Sequence, residues 1–407
     1  MRALLCGLIS ACSEATPPPV ASPDGTGTIE SFLDHHWLRP LAPQGIAPEG
    51  FSPEEASLDP DACGGCHVQQ HADWRTSLHA RAMGPGVLGQ LLDMAPDAVD
   101  EHQGCIRCHA PLAEQAGSLS EAIAQPLAGS PKALTHELGL TCAACHVRGH
   151  RRFGPPRRDG SERGSGDAAL PHHGWEASTA FEDSRFCSAC HQFQVGEFAL
   201  NGKLLENTYE EWKASRYARE GKSCQSCHMP DRRHLWRGVH DESMMKSAVA
   251  ISTAAPVNTG DSVEASLSIR NTGTGHYFPT YVTPKVIAEI YQATGDGMML
   301  PDTLQVHVIA RLVELDLSRE IADTRLAPDE EAVLRYRKPV HRRAALLVYR
   351  VRVEPDAFYQ GFFESSLASG QPVRGKPMIR TALEHSKRSR FTIFEEQRPL
   401  RRASPAK

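Results

Sequence analysis

The stretch "CGGCHVQQHADWRTSLHA", Cys63 to Ala80, sets two cysteines three positions apart, a histidine directly after the second, and a further histidine, His79, just past a tryptophan. Cys-x-x-Cys-His occurs four more times, as "CIRCH" (105–109), "CAACH" (142–146), "CSACH" (187–191) and "CQSCH" (224–228). The copies use Cys63, Cys66, Cys105, Cys108, Cys142, Cys145, Cys187, Cys190, Cys224 and Cys227, which is ten of the twelve cysteines. Structural zinc sites usually take two such pairs per metal, and five is an odd number. Disulfides suit an exported chain but do not call for a histidine after every second cysteine. A redox dithiol has no reason to recur five times. The pattern is the attachment signature of c-type haem. Two thiols add across the two vinyl groups of one porphyrin, and the next histidine reaches the iron as its proximal ligand. Five haem c groups are expected, with His67, His109, His146, His191 and His228 beneath the irons.

Successive motifs begin 42, 37, 45 and 37 residues apart. That is too little chain to build a separate apolar core around each porphyrin. The macrocycles are therefore expected to supply much of the core and to lie close together, as a route for electrons requires.

Fifteen histidines lie outside the motifs, and neutral imidazole is the commonest sixth ligand. His79 ends an apparent helix with His71, Trp74 and Leu78 along one stripe. Its phrase W-x-x-S-x-[HY]-A returns as "WKASRYA" at Trp212 to Ala218, with Tyr217 in the place of His79. That substitution marks Tyr217 as an expected place for an irregular haem environment. His136 lies six residues before Cys142, too near its own motif to reach the far face, and suits a neighbouring haem. His150 and the pair His172–His173 flank a Gly- and Arg-rich loop, and His150 represents that group among the candidates. "CHMPDRRHLWRGVHD" offers His234 and His240. In "NTGTGHYFPT" the glycines Gly273 and Gly275 would let the backbone before His276 lie against a porphyrin face. His79, His136, His150, His234, His240 and His276 are the distal candidates; His102 and His35–His36 are weaker ones.

The phrases "CGGCHVQQHADWRTSLHA", "HELGLTCAACH" and "TYEEWKASRYAREGKSCQSCHMP", followed by "HLWRGVHD", resemble the multihaem c-type cytochromes related to the tetrahaem cytochromes and hydroxylamine oxidoreductases of nitrogen metabolism. They span roughly residues 50 to 245. The resemblance implies an α-helical haem domain with mostly bis-histidine irons in closely stacked pairs. Two departures weigh against carrying over the enzymes' activities. There are five motifs and not eight, and no lysine replaces a motif histidine as in pentahaem nitrite reductases.

The remaining sequence sets the frame. At 407 residues the chain has room for two or three domains. A formal charge of −5, from 44 basic and 49 acidic side chains, excludes a general nucleic-acid binder. Arg148–Arg163 and Ser386–Lys407 are locally basic and read as a solvated loop and tail. "MRALLCGLISAC" pairs a short apolar run with Ile9-Ser10-Ala11 before Cys12, as in a bacterial lipobox, so Cys12 is the expected lipidation site. The Pro-, Ser- and Thr-rich residues 13 to 28 suit a tether. No later run is apolar for long enough to span a bilayer. After Asp241 cysteine disappears, and segments rich in β-branched residues (247–252, 261–270, 285–294, 305–316, 331–339, 342–355) alternate with turn clusters. A helix is expected in "PDAFYQGFFESSLAS" and a final strand near Phe391.

The expected fold is α+β: a mainly α-helical, loop-rich pentahaem domain followed by an antiparallel, Ig-like β-sandwich. The divisions are a signal segment (1–12), tether and lead-in (13–50), pentahaem domain (51–245), β-sandwich (246–395) and basic tail (396–407). The expected function is an exported pentahaem cytochrome, periplasmic or at the cell surface as an outer-membrane lipoprotein. It would exchange electrons with other redox proteins, cytochromes or quinol-linked donors, and touch the membrane only through its lipid. Two alternatives stand beside it. One is an oxidoreductase with an open haem acting on a small nitrogen or sulfur species; the other is a subunit of an extracellular haem filament.

Overall fold

In an α-helix, positions i, i+3 and i+4 share one face, so a helical Cys-x-x-Cys-His turns both thiols and the imidazole the same way. The computed structural model, which describes residues 28–39, 41–124, 135–161, 166–259, 261–370 and 373–400, builds the motifs in this manner. Three lie in the helices Cys142–His146, Arg185–His191 and Cys224–His228, and one closes the helix Val99–His109. The first straddles the end of helix Pro60–Gly64 and the start of Val68–Thr76. The helices Cys142–His146, Arg185–His191 and Cys224–His228 have 5, 7 and 5 residues, enough to present three side chains but not to bury a long apolar stripe. Apolar packing in this half is confined to small clusters, such as Leu88, Leu91, Leu92, Ile106 and Leu119.

The second half is antiparallel. One sheet orders the strands Gln305–Ile309, Lys285–Ala293, Leu346–Glu354 and Phe391–Pro399; the other orders Glu331–Pro339, Ser262–Asn271 and Val249–Thr253. In the first sheet Tyr349 stands opposite Ile290 and Val351 opposite Ala288. Alternate side chains of both sheets (Val263, Leu267, Ile269 and Leu334 against Val286, Ile290, Leu347 and Val351) meet in one core, as the period-2 pattern requires. The chain is α+β, as its sequence implies.

Two features depart from the sequence reading. Residues 386–400 are not a solvated tail: Ser386 is buried in the helix Lys376–Arg388, and Phe391–Pro399 pairs along Leu346–Glu354. Their positive charge is met locally, Arg398 by Glu396 at 2.8 Å and Lys387 by Glu364 at 3.6 Å. In addition, the helices Ala357–Ser369 and Lys376–Arg388 leave the sheet and pack on the helix Pro85–Leu91 of the first half. Among the described residues no helix is long and apolar enough to cross a membrane. Cys12 lies outside the described residues.

A second tie runs the other way. The loop after Asn271 crosses to the helix Thr208–Lys213, where Glu211 accepts from the Tyr277 backbone N–H at 3.1 Å and pairs with Arg325 at 3.1 Å. Both charged side chains are almost completely buried. This loop carries His276.

Candidate multihaem site

A cavity of about 2750 Å³ runs through the first half and along its junction with the second. An ordinary ligand pocket is roughly 300–1,000 Å³, so the space suits several large groups. All ten motif cysteines are unbridged and all five motif histidines line the cavity. Three pairs of thiols from different motifs lie close enough to shift each other's pKa: Cys63 with Cys142, Cys108 with Cys190, and Cys187 with Cys224. Each stands for the thioether sulfur it would become on haem attachment, so the edges of neighbouring porphyrins would be adjacent. Arg39 donates to Cys190 Sγ at 3.0 Å and Cys108 Sγ at 3.6 Å, marking one junction with a positive charge.

Two imidazoles that share one metal are each bonded at about 2.0–2.1 Å, and adding half of each ring puts the ring centres roughly 6 Å apart. Four motif histidines face a second histidine at that separation. His67 faces His172 at 6.5 Å, His146 faces His234 at 6.1 Å, His191 faces His79 at 6.3 Å and His228 faces His276 at 6.4 Å. The ring planes differ by 26°, 31°, 41° and 14° in that order. Burial lowers the pKa of His79 to about 3, and those of His146 and His276 to about 4, with neighbouring histidines adding to the effect. Such rings are neutral, the form in which imidazole binds metal.

Backbone carbonyls fix the ring orientation. Nδ1–H of His109, His146 and His228 donates to the carbonyls of Ala82 (2.6 Å), Phe153 (2.7 Å) and Arg237 (2.6 Å). His172, His234 and His276 do the same toward Gly174 (2.8 Å), Arg232 (3.0 Å) and Tyr277 (2.9 Å). Donation from Nδ1 leaves Nε2 for a metal and raises its basicity. This donor set fits covalently held haem c.

The remaining sequence candidates sit elsewhere. His136, almost fully buried, shares a 2.9 Å hydrogen bond with Ser118 and lines no part of the cavity. His150 bonds the Gly45 carbonyl at 3.1 Å and is likewise outside. His240 reaches the cavity but is held by Asp356, 3.0 Å from each carboxylate oxygen. None of the three faces a motif histidine. Of the group His150, His172 and His173, it is His172 that faces a motif histidine, His67.

Tyr217 is turned to the backbone of the second half. Its hydroxyl donates to the Thr272 carbonyl, and His276 faces His228 nearby. The echo of Trp74–His79 in Trp212–Tyr217 proves to be a backbone device. Trp74 and Trp212 donate their indole N–H to the carbonyls of Leu140 (2.8 Å) and Lys222 (2.9 Å), each two residues before a motif cysteine. Leu140 and Lys222 return their N–H to the carbonyls of His79 and Tyr217, both at 2.9 Å. The residue before each is a glycine at positive φ, Gly139 at 65° and Gly221 at 72°, where a side chain would be strained. The glycines near His276 also have another purpose. A Cβ on Gly273 would meet the Ser247 carbonyl at 2.0 Å, and one on Gly275 would meet Trp212 Cδ1 at 2.8 Å. They admit the protein's own backbone and indole.

The exception among the motif histidines is His109. None of the twenty histidines, all of which are described, stands opposite it at the spacing of the other four. Tyr281 and Tyr359 lie within electrostatic range of Cys108 and Cys105 and line the cavity, and the segments that carry them are joined by a 3.0 Å bond from Phe358 N–H to the Thr283 carbonyl. Burial raises both phenol pKa values, so each remains a hydroxyl donor. Tyr281 adopts φ of +66°, a backbone state costing on the order of 1–3 kcal/mol that clusters at functional sites. Sequence reasoning offered no signal for either tyrosine.

Comparison with known proteins adds two likenesses. Residues 62–147 match the family model described as cytochrome c554 and c-prime. The fold is similar to the crystal structure of a penta-heme cytochrome c552 from Thermochromatium tepidum, with a TM-score of 0.56 and 19% identity over 86% of this chain and 100% of that one. No curated protein matches the chain. With the five motifs, the match over residues 62–147 supports a chain that carries haem c, and the solved structure shows that the fold is shared.

Proposed function

We propose that this chain is a pentahaem electron-transfer cytochrome with four bis-histidine centres and one centre open on its distal side. The observation that carries it is the set of four opposed imidazole pairs at 6.1 to 6.5 Å. His67, His109, His146, His191 and His228 would be proximal ligands. His172, His234, His79 and His276 would be distal ligands at the first, third, fourth and fifth motifs. When bound, haem supplies one-electron iron chemistry. The protein fixes imidazole planes through backbone carbonyls, excludes water by burial, and brings neighbouring motifs close together at Cys63–Cys142, Cys187–Cys224 and Cys108–Cys190. Redox proteins are the partners. The Ile9–Cys12 lipobox supports export and a lipid anchor at Cys12.

A second reading is favoured by the His109 centre. With no histidine opposite and two phenol donors near its thiols, it would admit a small exogenous ligand, as an oxidoreductase site does. The experiment for the main reading is intact mass with a reductive titration of the matured protein. Five haem increments, all reduced and reoxidised reversibly, are expected; four or fewer would refute it.

A further inference from the structure

Three of the centres meet at one short segment, His234 to Arg237. His234 faces His146. The Trp236 backbone N–H donates to the His228 carbonyl at 2.9 Å, and the Arg237 carbonyl accepts from His228 Nδ1 at 2.6 Å. The indole of Trp236 stands edge-to-face against two distal rings, His79 at 4.7 Å and 61° and His234 at 5.0 Å and 83°. Trp236 holds φ at +40°, a costly state for a bulky residue. Asp73 fastens the segment, accepting from His234 N–H at 3.1 Å and pairing with Arg233 at 2.6 Å.

His79 differs from the other distal rings. His172, His234 and His276 each have a carbonyl at Nδ1, whereas Nδ1 of His79 is buried without a hydrogen-bond partner. A metal-bound imidazole normally has its plane set by such a bond. At His79 the bulky neighbour that limits rotation is the indole. The two pairs that Trp236 touches are also the two most twisted, 41° and 31° against 26° and 14°. Edge-to-face aromatic packing is worth about 0.5–1.5 kcal/mol beyond area burial, enough to select among ring orientations that differ little in energy.

We infer that Trp236 is a positioning residue that sets the imidazole planes of His79 and His234, and so tunes two electron-transfer centres together. The inference rests on these histidines being distal ligands. The angle between axial imidazole planes governs the g-anisotropy of a low-spin ferric haem, which gives a readout independent of activity. Single His79→Ala and His234→Ala variants of the full-length five-haem protein first identify the two signals, each by turning one iron high-spin. Failure there would count against the ligand assignment and leave Trp236 aside. Trp236→Leu should then shift these two electron paramagnetic resonance signals and leave those of the His67–His172 and His228–His276 centres in place. Trp236→Phe, which restores an aromatic edge, should move them back toward the parent. If Trp236→Leu does not mature, Trp236→Met is read in the same way. Two unmoved signals in a five-haem variant would overturn the inference, and so would a uniform shift of all four.

Discussion

The imidazole of His276 lies 6.4 Å from that of His228, centre to centre, with the planes 14° apart. One ring comes from the antiparallel half and the other from the fifth motif, so a metal between them would join the two halves. His276→Ala should convert one low-spin iron in the chain to high-spin and expose the junction to protease. Unchanged spectra and an unchanged digestion pattern would reduce His276 to a loop residue.

The same loop depends on Glu211, which bonds Tyr277 N–H and neutralises Arg325. Breaking a buried ion pair costs about 3–5 kcal/mol when the survivor is left bare. Arg325 retains Asp323 at 2.9 Å, so Glu211→Ala should fall below that range, yet still lower the thermal midpoint by several degrees. It should also broaden the His228–His276 signal. A midpoint within a degree of the parent would contradict this role.

Trp74 and Trp212 should be separable by effect. Each indole N–H bond to Leu140 or Lys222 is worth about 1 kcal/mol net, and each orders the approach to one motif. Trp74→Phe should impair haem attachment at Cys142–Cys145 and Trp212→Phe at Cys224–Cys227. Peptide mapping of haem-bearing fragments checks the pairing; equal losses at every motif would mean general instability.

Acid stability should carry the mark of Asp323. Burial by itself would raise its pKa, but hydrogen bonds and charge from Arg325 and Lys203 overcome this and lower it to about 2. The folded pKa is below the unfolded one, so its stabilisation is present above about pH 4 and is lost as pH falls from about 4 to about 2. Discounted for solvent screening, the contribution is on the order of 1–2 kcal/mol. Asp323→Asn should be less stable at pH 7 and show a shallower fall in thermal midpoint below pH 4. Parallel curves for variant and parent would exclude it.

How much of this is legible in sequence depends on how local each cause is. The motif geometry is local, since i, i+3 and i+4 spacing on a helix presents the three groups together. His79, His234 and His276 stand out because flanking Trp, Pro and Gly give their segments a recognisable form. The choice of His172 over His150 is not legible. Both sit at positive φ, His150 in the two-residue turn between the strands Val147–Arg148 and Arg151–Gly154 and His172 in the turn Pro171–His173, and only the second turn aims a ring at His67. His136 reads as a ligand by position but is taken by Ser118, 18 residues away. Trp236, Tyr281 and Tyr359 owe their positions to contacts between distant segments, which no periodicity records. Six of the seven strands ordered in the two sheets were readable from alternation, and the seventh was expected near Phe391. The helix Lys376–Arg388 was hidden by its charge, and its apolar side, Ile379, Ala382 and Leu383, is a narrow stripe.

The central claim is four paired irons and one unpaired. Electron paramagnetic resonance of the oxidised five-haem protein, before and after cyanide, tests it most directly. The account predicts four low-spin irons and one high-spin iron per chain, with cyanide converting only the latter. Tyr281→Phe with Tyr359→Phe should change the ligand-bound signal of that iron alone. Five low-spin irons inert to cyanide, or two or more high-spin irons in the native protein, would contradict it.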